Sequence, residues 1–179
     1  MRKLLGKENV SSPSLHDLLK NRFAKAELYG KLANIHADIP NKALGTTTGP
    51  FKMLTGQDQI YAEKKHKDGF HFVNYAKLLF SANEIPERGD ELRAFFRRWI
   101  IVDFPFKFVD NPDPNNEFEK EKNPNLLEEL TTKEELSGFL NWALKGLQRL
   151  LDRGEFALDK SVEERSEIWE EMSNPIVRL

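Results

Sequence analysis

Asn83, Arg97 and Arg98 are the residues of this chain whose types and spacing best suit chemistry on a phosphate. Asn83 follows the apolar run Leu78-Leu79-Phe80-Ser81-Ala82, whose length and composition predict a short buried strand. Arg97-Arg98 come after a charged loop and stand directly ahead of Trp99-Ile100-Ile101-Val102-Asp103-Phe104, which reads as a second buried strand. A strand-tip amide can orient a water beside a phosphate, and an arginine can neutralise the charge that grows as a phosphoryl group departs. The pairing points to a nucleoside-triphosphatase core. The bland alternatives are turn chemistry for Asn83 and a solvated helix end for the arginines. Phe95-Phe96 before the pair and Trp99 after it argue against full exposure of the guanidinium groups.

Two further groups belong with these. Asp38 closes a predicted strand over residues 31–39, the position from which a carboxylate holds Mg²⁺ in phosphate-handling sheets; the plain alternative is a strand-end aspartate before a turn. Lys64-Lys65-His66-Lys67 is the dense basic cluster of the chain. It falls between two predicted hairpin arms, residues 59–62 and 70–73, with Asp68-Gly69 as the turn signal. A basic hairpin tip is a compact phosphate-contacting device, although a charge run is more often a solvated loop. Tyr61 and Phe70 flank it as stacking candidates or as packed strand residues. His16, His36 and His71 make no metal-ligand spacing and read as structural, and no Ser/His/Asp arrangement stands out.

Composition bounds the reading. A chain of 179 residues with 31% charged and 11% aromatic residues is long enough for a real core and is globular in character. The formal net charge of −2 means that any nucleic-acid contact must come from a local patch. The absence of cysteine excludes disulfides and thiolate metal sites. Without a long apolar run or a secretory leader pattern, the expectation is a soluble cytoplasmic protein without membrane partners. There is no GxxxxGK[ST] phosphate loop, since Gly6-Lys7 is followed by Glu8.

The positioning elements follow from spacing. Ser14 caps a helix carrying Leu15, Leu18 and Leu19; a second helix covers residues 22–28; Pro40 stops the Asp38 strand; residues 41–49 form a Gly- and Thr-rich loop; and residues 51–54 are a short helix or turn. Residues 110–125 look like an exposed connection. Thr132 with Glu135 makes a capping box for a helix whose Leu136, Phe139, Leu140, Ala143, Leu144, Leu147, Leu150 and Leu151 share one face, and Gly154 closes it. Ser161 with Glu164 caps a last helix through Met172, ended by Asn174-Pro175.

Taken together these motifs resemble the superfamily 3 helicases, specifically the helicase part of phage- and plasmid-type primase–helicases, through nearly the whole chain. Residues 21–32 resemble the approach to the Walker B strand and Asp38 its terminal acid. Phe51-Lys52-Met53-Leu54-Thr55-Gly56-Gln57-Asp58 resembles the Leu-Thr-Gly-Gly-Asp segment. Lys64-Lys65-His66-Lys67 falls on the basic hairpin that tracks single-stranded DNA in the hexamer channel, with Lys65 and His66 as its tip pair. Asn83 falls on the sensor asparagine and Arg97 or Arg98 on the arginine finger, Arg98 being slightly favoured. Residues 161–179 resemble the helix preceding the C-terminal winged helix. Three departures stand out: Gln57 replaces the second glycine, Ala37 replaces the first Walker B acid, and the Walker A loop is missing.

The resemblance implies a partial AAA+-like (RecA-type) α/β ATPase core over residues 1–108, an acidic, Pro-rich connection over 109–131 and a helical lid over 132–179. In the intact family ATP and Mg²⁺ are the cofactors, Asp38 would help hold the metal once the nucleotide site is complete, and the partners are single-stranded DNA and further copies in a hexamer. For this chain the expectation is a central helicase piece, silent as an ATPase alone unless a separate chain supplies Walker A. The alternatives are a non-enzymatic DNA-binding or helicase-associated remnant, and a structural protein whose leucine face at 136–151 is a core or partner surface.

Overall fold

The computed structural model describes residues 1–39, 49–83, 85, 93–157 and 160–173. The expectations for Pro40, the loop at 41–48, Glu84, Pro86 and Asn174-Pro175 lie outside the described residues. The chain is mixed α/β. In order it forms α1 (Arg2–Leu5), β1 (Val10–Ser11), α2 (Leu15–Lys20), α3 (Arg22–Ala26), β2 (Ala33–His36), α4 (Gly49–Thr55), β3 (Gln59–Ala62), β4 (Phe70–Val73), β5 (Lys77–Phe80), α5 (Arg93–Phe96), β6 (Lys107–Val109), β7 (Glu119–Glu121), α6 (Leu126–Glu129), α7 (Lys133–Arg153) and α8 (Val162–Ser173). Two compact units result: Met1–Trp99 with the segment from Lys160, and residues 100–159.

The first unit holds the core. Its sheet has the order β1-β2-β5 with both pairings parallel, and His36 lies opposite Phe80 at the C-terminal end. Asn34 is fully buried in the middle strand, where it accepts from Ser11 Oγ at 3.0 Å and donates to the Pro13 carbonyl at 3.1 Å. Those bonds offset the cost of taking an amide out of water. The expected Ser14 cap is present: its hydroxyl accepts from the Asp17 amide, and Leu15 and Leu18 of α2 are buried behind it. Strands β3 and β4 pair antiparallel as the sequence predicts, with Ile60 opposite Phe72 and Tyr61 opposite His71. The inner face of this hairpin (Ile60, Ala62, Phe72) joins Leu18, Ala26, Leu28 and Leu54 in one apolar cluster, with Leu78 and Phe80 of β5 against it. Period-2 alternation therefore fixes the base of the hairpin to three helices and leaves its outer face to solvent.

A second cluster is aromatic. Trp169 of α8 is buried and lies 5.2 Å from both the Phe95 and Trp99 rings, centroid to centroid; Phe51 of α4 stacks on Trp99 at 5.0 Å. The sequence reading groups this last helix with residues 132–179, whereas its only large buried aromatic packs on α5 of the first unit. The two capping signals of Ser161 and Glu164 are both realised, Ser161 N–H to Glu164 at 2.7 Å and Glu164 N–H to Ser161 at 3.1 Å.

In the second unit, β6 and β7 form a short parallel pair, and α7 runs from a Thr132 cap to Gly154, which adopts a left-handed φ of 78°. None of the described residues of this unit is buried. The predicted strand over 99–104 does not form: residues 101–106 are irregular and Phe104 is 85% exposed. Trp99 alone of that run enters the aromatic cluster. A run of β-branched and aromatic residues has strand propensity, but a strand needs a neighbour to pair with, and among the described strands none pairs with this run.

Candidate functional site

Asp38 and Asn83 lie beyond the C-terminal ends of β2 and β5, adjacent strands of a parallel sheet. This is the edge at which open α/β sheets bind ligands. The backbone there departs from a regular ladder. Ser81 N–H donates to the His36 carbonyl at 3.1 Å, and Ile39 N–H donates to the Ser81 carbonyl at 2.9 Å. A regular parallel ladder would use the amide of residue 38 for the second bond, so one residue is extra and the strand bulges. Asp38 takes up the bulge with a φ of 56°, a conformation that aspartate tolerates better than most residues. Ile39 thereby returns to the buried face, and the Asp38 side chain stands exposed at the sheet edge. Asn83 is exposed as well.

Arg97 and Arg98 form the turn that leaves α5. The rings on either side are held by the aromatic cluster, with Phe80 at the end of β5 lying 6.3 Å from Trp99. The arginine turn is thus tethered through Trp99 to the strand that leads to Asn83. The two arginines differ. The Arg98 guanidinium is half-buried and donates to the Ala94 carbonyl of its own helix. Arg97 is exposed and has no side-chain hydrogen bond or ion pair among the described residues. No group of His, Asp and Glu among the described residues is arranged to hold a metal ion. Asp38 alone would offer one carboxylate ligand at this edge.

The hairpin carries the second group. Lys64, Lys65, His66 and Lys67 are all exposed. Lys67 N–H donates to the Lys64 carbonyl at 3.0 Å, and His66 has a φ of 61°. A positive φ at the third of four residues is the signature of a type II turn. The chain therefore reverses at Lys65-His66, not at Asp68-Gly69 as the Asp-Gly signal suggests. Gly69 has another role: a Cβ there would lie 2.1 Å from the Tyr61 hydroxyl, so only glycine lets the ring cross that backbone. Tyr61 donates to Glu63 at 2.7 Å, and Glu63 pairs with Arg22 at 2.9 Å. The hydrogen bond to Glu63 is the main reason that the Tyr61 phenol is held above its ordinary pKa of 10.0. Of the two flanking aromatics, Tyr61 faces out, whereas Phe70 turns inward against Tyr29 at 5.1 Å. His71, read from sequence as structural, is exposed opposite Tyr61. The alternation Phe70-His71-Phe72 was the signal for it, since Phe72 inward requires His71 outward.

Residues 1–98 match a family of unknown function (DUF5906). The chain belongs to that family. The DUF5906 match takes in Asp38, the hairpin and Asn83, and Arg98 is its last residue. No curated protein matches the chain. Among solved structures, the apo A form of the NrS-1 C-terminal region (CTR, 305–718) is similar at 19% identity with a TM-score of 0.35, over 78% of this chain. The likeness spans 29% of that chain, well under two thirds of its length. Among the described residues no helix is long and apolar enough to cross a membrane.

Proposed function

We propose that this DUF5906 chain is the DNA-contacting part of an ATP-dependent replicative helicase core of superfamily 3, AAA+-like type, from a phage, plasmid or integrated element, and that these residues alone do not hydrolyse ATP. The observation that carries the reading is the hairpin: three lysines and a histidine, all exposed, at a tight turn whose base is locked into the core. Charges on a rigid base meet successive phosphates without first being ordered. The sheet edge supports the same reading. Asp38 would help hold Mg²⁺, Asn83 would orient water at the γ-phosphate, and an arginine of the turn after α5 would reach a neighbouring copy's nucleotide in a hexamer. Between the two arginines we favour Arg97, because Arg98 is engaged by its own helix. The phosphate-cradling loop must come from sequence other than these residues, because no GxxxxGK[ST] occurs among them.

The second reading, a DNA-binding or helicase-associated remnant without turnover, is favoured by Ala37 in place of a second acid. Hydrogen exchange with and without an oligothymidylate tests what both share. The expected result is protection centred on residues 63–69; a footprint elsewhere, or none, removes the hairpin from the account. ATP hydrolysis then separates the two readings when a Walker A-bearing chain is added: turnover restored by the mixture supports the helicase core, and none supports the remnant.

A further inference from the structure

We infer that the outer face of the β3–β4 hairpin is a base-stacking platform, made by the Tyr61 and His71 rings, that reads single-stranded DNA beside the phosphate-contacting tip. The inference rests on the proposed DNA-binding role of the hairpin and adds a contact of a different chemistry to it.

Four observations carry it. Tyr61 and His71 are direct cross-strand partners, so their side chains emerge side by side on one face. Their ring centroids are 5.2 Å apart. Both residues are exposed on the outer face, while Ile60, Ala62 and Phe72 on the opposite, inner face supply the packing. Neither ring is therefore needed to fill the core. Finally, Tyr61 is held in place: its hydroxyl donates a hydrogen bond to Glu63, which is itself paired with Arg22, and the missing side chain at Gly69 leaves room for the ring against the backbone. An exposed aromatic that is fixed by two independent contacts loses little conformational freedom when a base stacks on it. The Glu63 carboxylate would repel a phosphate, but its pairing with Arg22 reduces that field. The adjoining Lys64, Lys65 and Lys67 give the face an attractive approach for the backbone. A positively charged groove flanked by aromatic rings is how single strands are held without sequence preference.

The test compares a labelled oligothymidylate with an abasic oligonucleotide of the same length and phosphate count, using the full 179-residue chain. The platform predicts tighter binding of the base-bearing strand, by about fivefold to 150-fold for each stacked base. Tyr61→Ala with His71→Ala should bring the two strands to equal affinity. Lys65→Ala should weaken both strands by the same factor. Gly69→Ala keeps both rings but displaces Tyr61, and it should lose the discrimination while retaining the abasic affinity. If the wild-type chain binds both strands equally, the platform is overturned while the charged tip stands. The platform is also overturned if discrimination survives in the double variant. If neither strand binds, the platform and the DNA-binding reading fall together. Unchanged urea midpoints in the variants would show that the differences are not loss of fold.

Discussion

Trp169→Ala measures how firmly the arginine turn is held. Trp169 is 2% exposed and its ring contacts those of Phe95, Phe96 and Trp99. It is also the aromatic through which α8 packs on α5. Removing a buried Trp side chain costs about 3–5 kcal/mol through lost transfer energy and the cavity left behind. The ring-pair contributions of about 0.5–1.5 kcal/mol are contained within that figure rather than added to it. Against a domain stability of about 5–15 kcal/mol, this is a large fraction, and α8 should detach first. Trp169→Phe keeps most of the contact and should cost less than half as much. Urea denaturation followed by far-UV circular dichroism gives the comparison, with the midpoint falling at unchanged slope. A loss below about 1 kcal/mol in the alanine variant would mean that the cluster does not organise this end of the unit, and the tether of Arg97 and Arg98 would be refuted with it.

Three further outcomes follow from backbone strain, exposure and charge. Gln57 closes α4 with a φ of 63°, so Gln57→Gly should raise stability by about 0.5–1 kcal/mol in the same urea assay; a loss would mean that the side chain has a compensating contact. Leu144→Ala on α7 should stay within about 0.5 kcal/mol of wild type because Leu144 is 54% exposed, whereas Leu15→Ala in the core should cost about 2–5 kcal/mol. Equal losses would show that the leucine face of α7 is buried in solution. The Ser161 amide and hydroxyl hold the Glu164 carboxyl below its ordinary pKa of 4.5. Its contribution to α8 is therefore complete above that value and fades as the pH falls below it. Glu164→Gln should flatten the acid side of the stability profile, and an unchanged profile would place the acid sensitivity elsewhere.

The hairpin was legible because alternation and its flanking polar residues act locally, and the same holds for the Ser14, Ser161 and Gly154 caps. The tip position was not. Asp68-Gly69 is the stronger turn signal, yet the pairing of Ala62 with Phe70 leaves seven residues between the strands, and the tight turn falls in their middle at Lys65-His66. Asp38 could be placed at a strand end but not in a bulge, since the extra residue is defined only by what Ser81 bonds on the neighbouring strand. The strand expected over 99–104 failed for the same reason: its composition was right, but pairing is a property of neighbours. The attachment of α8 to α5 depended on contacts with Trp169 across a long sequence separation, and no local pattern encodes them.

The most direct test of the central claim is fluorescence anisotropy with a labelled oligothymidylate across a salt series, wild type against the Lys65→Ala/His66→Ala double variant. Both side chains are exposed, so the variant should keep its fold. Binding that weakens with salt in the wild type, at a slope of about 0.7 per phosphate contact, and is lost in the variant is the predicted result. Binding that the variant retains unchanged, or no binding by the wild type even at low salt, would contradict it.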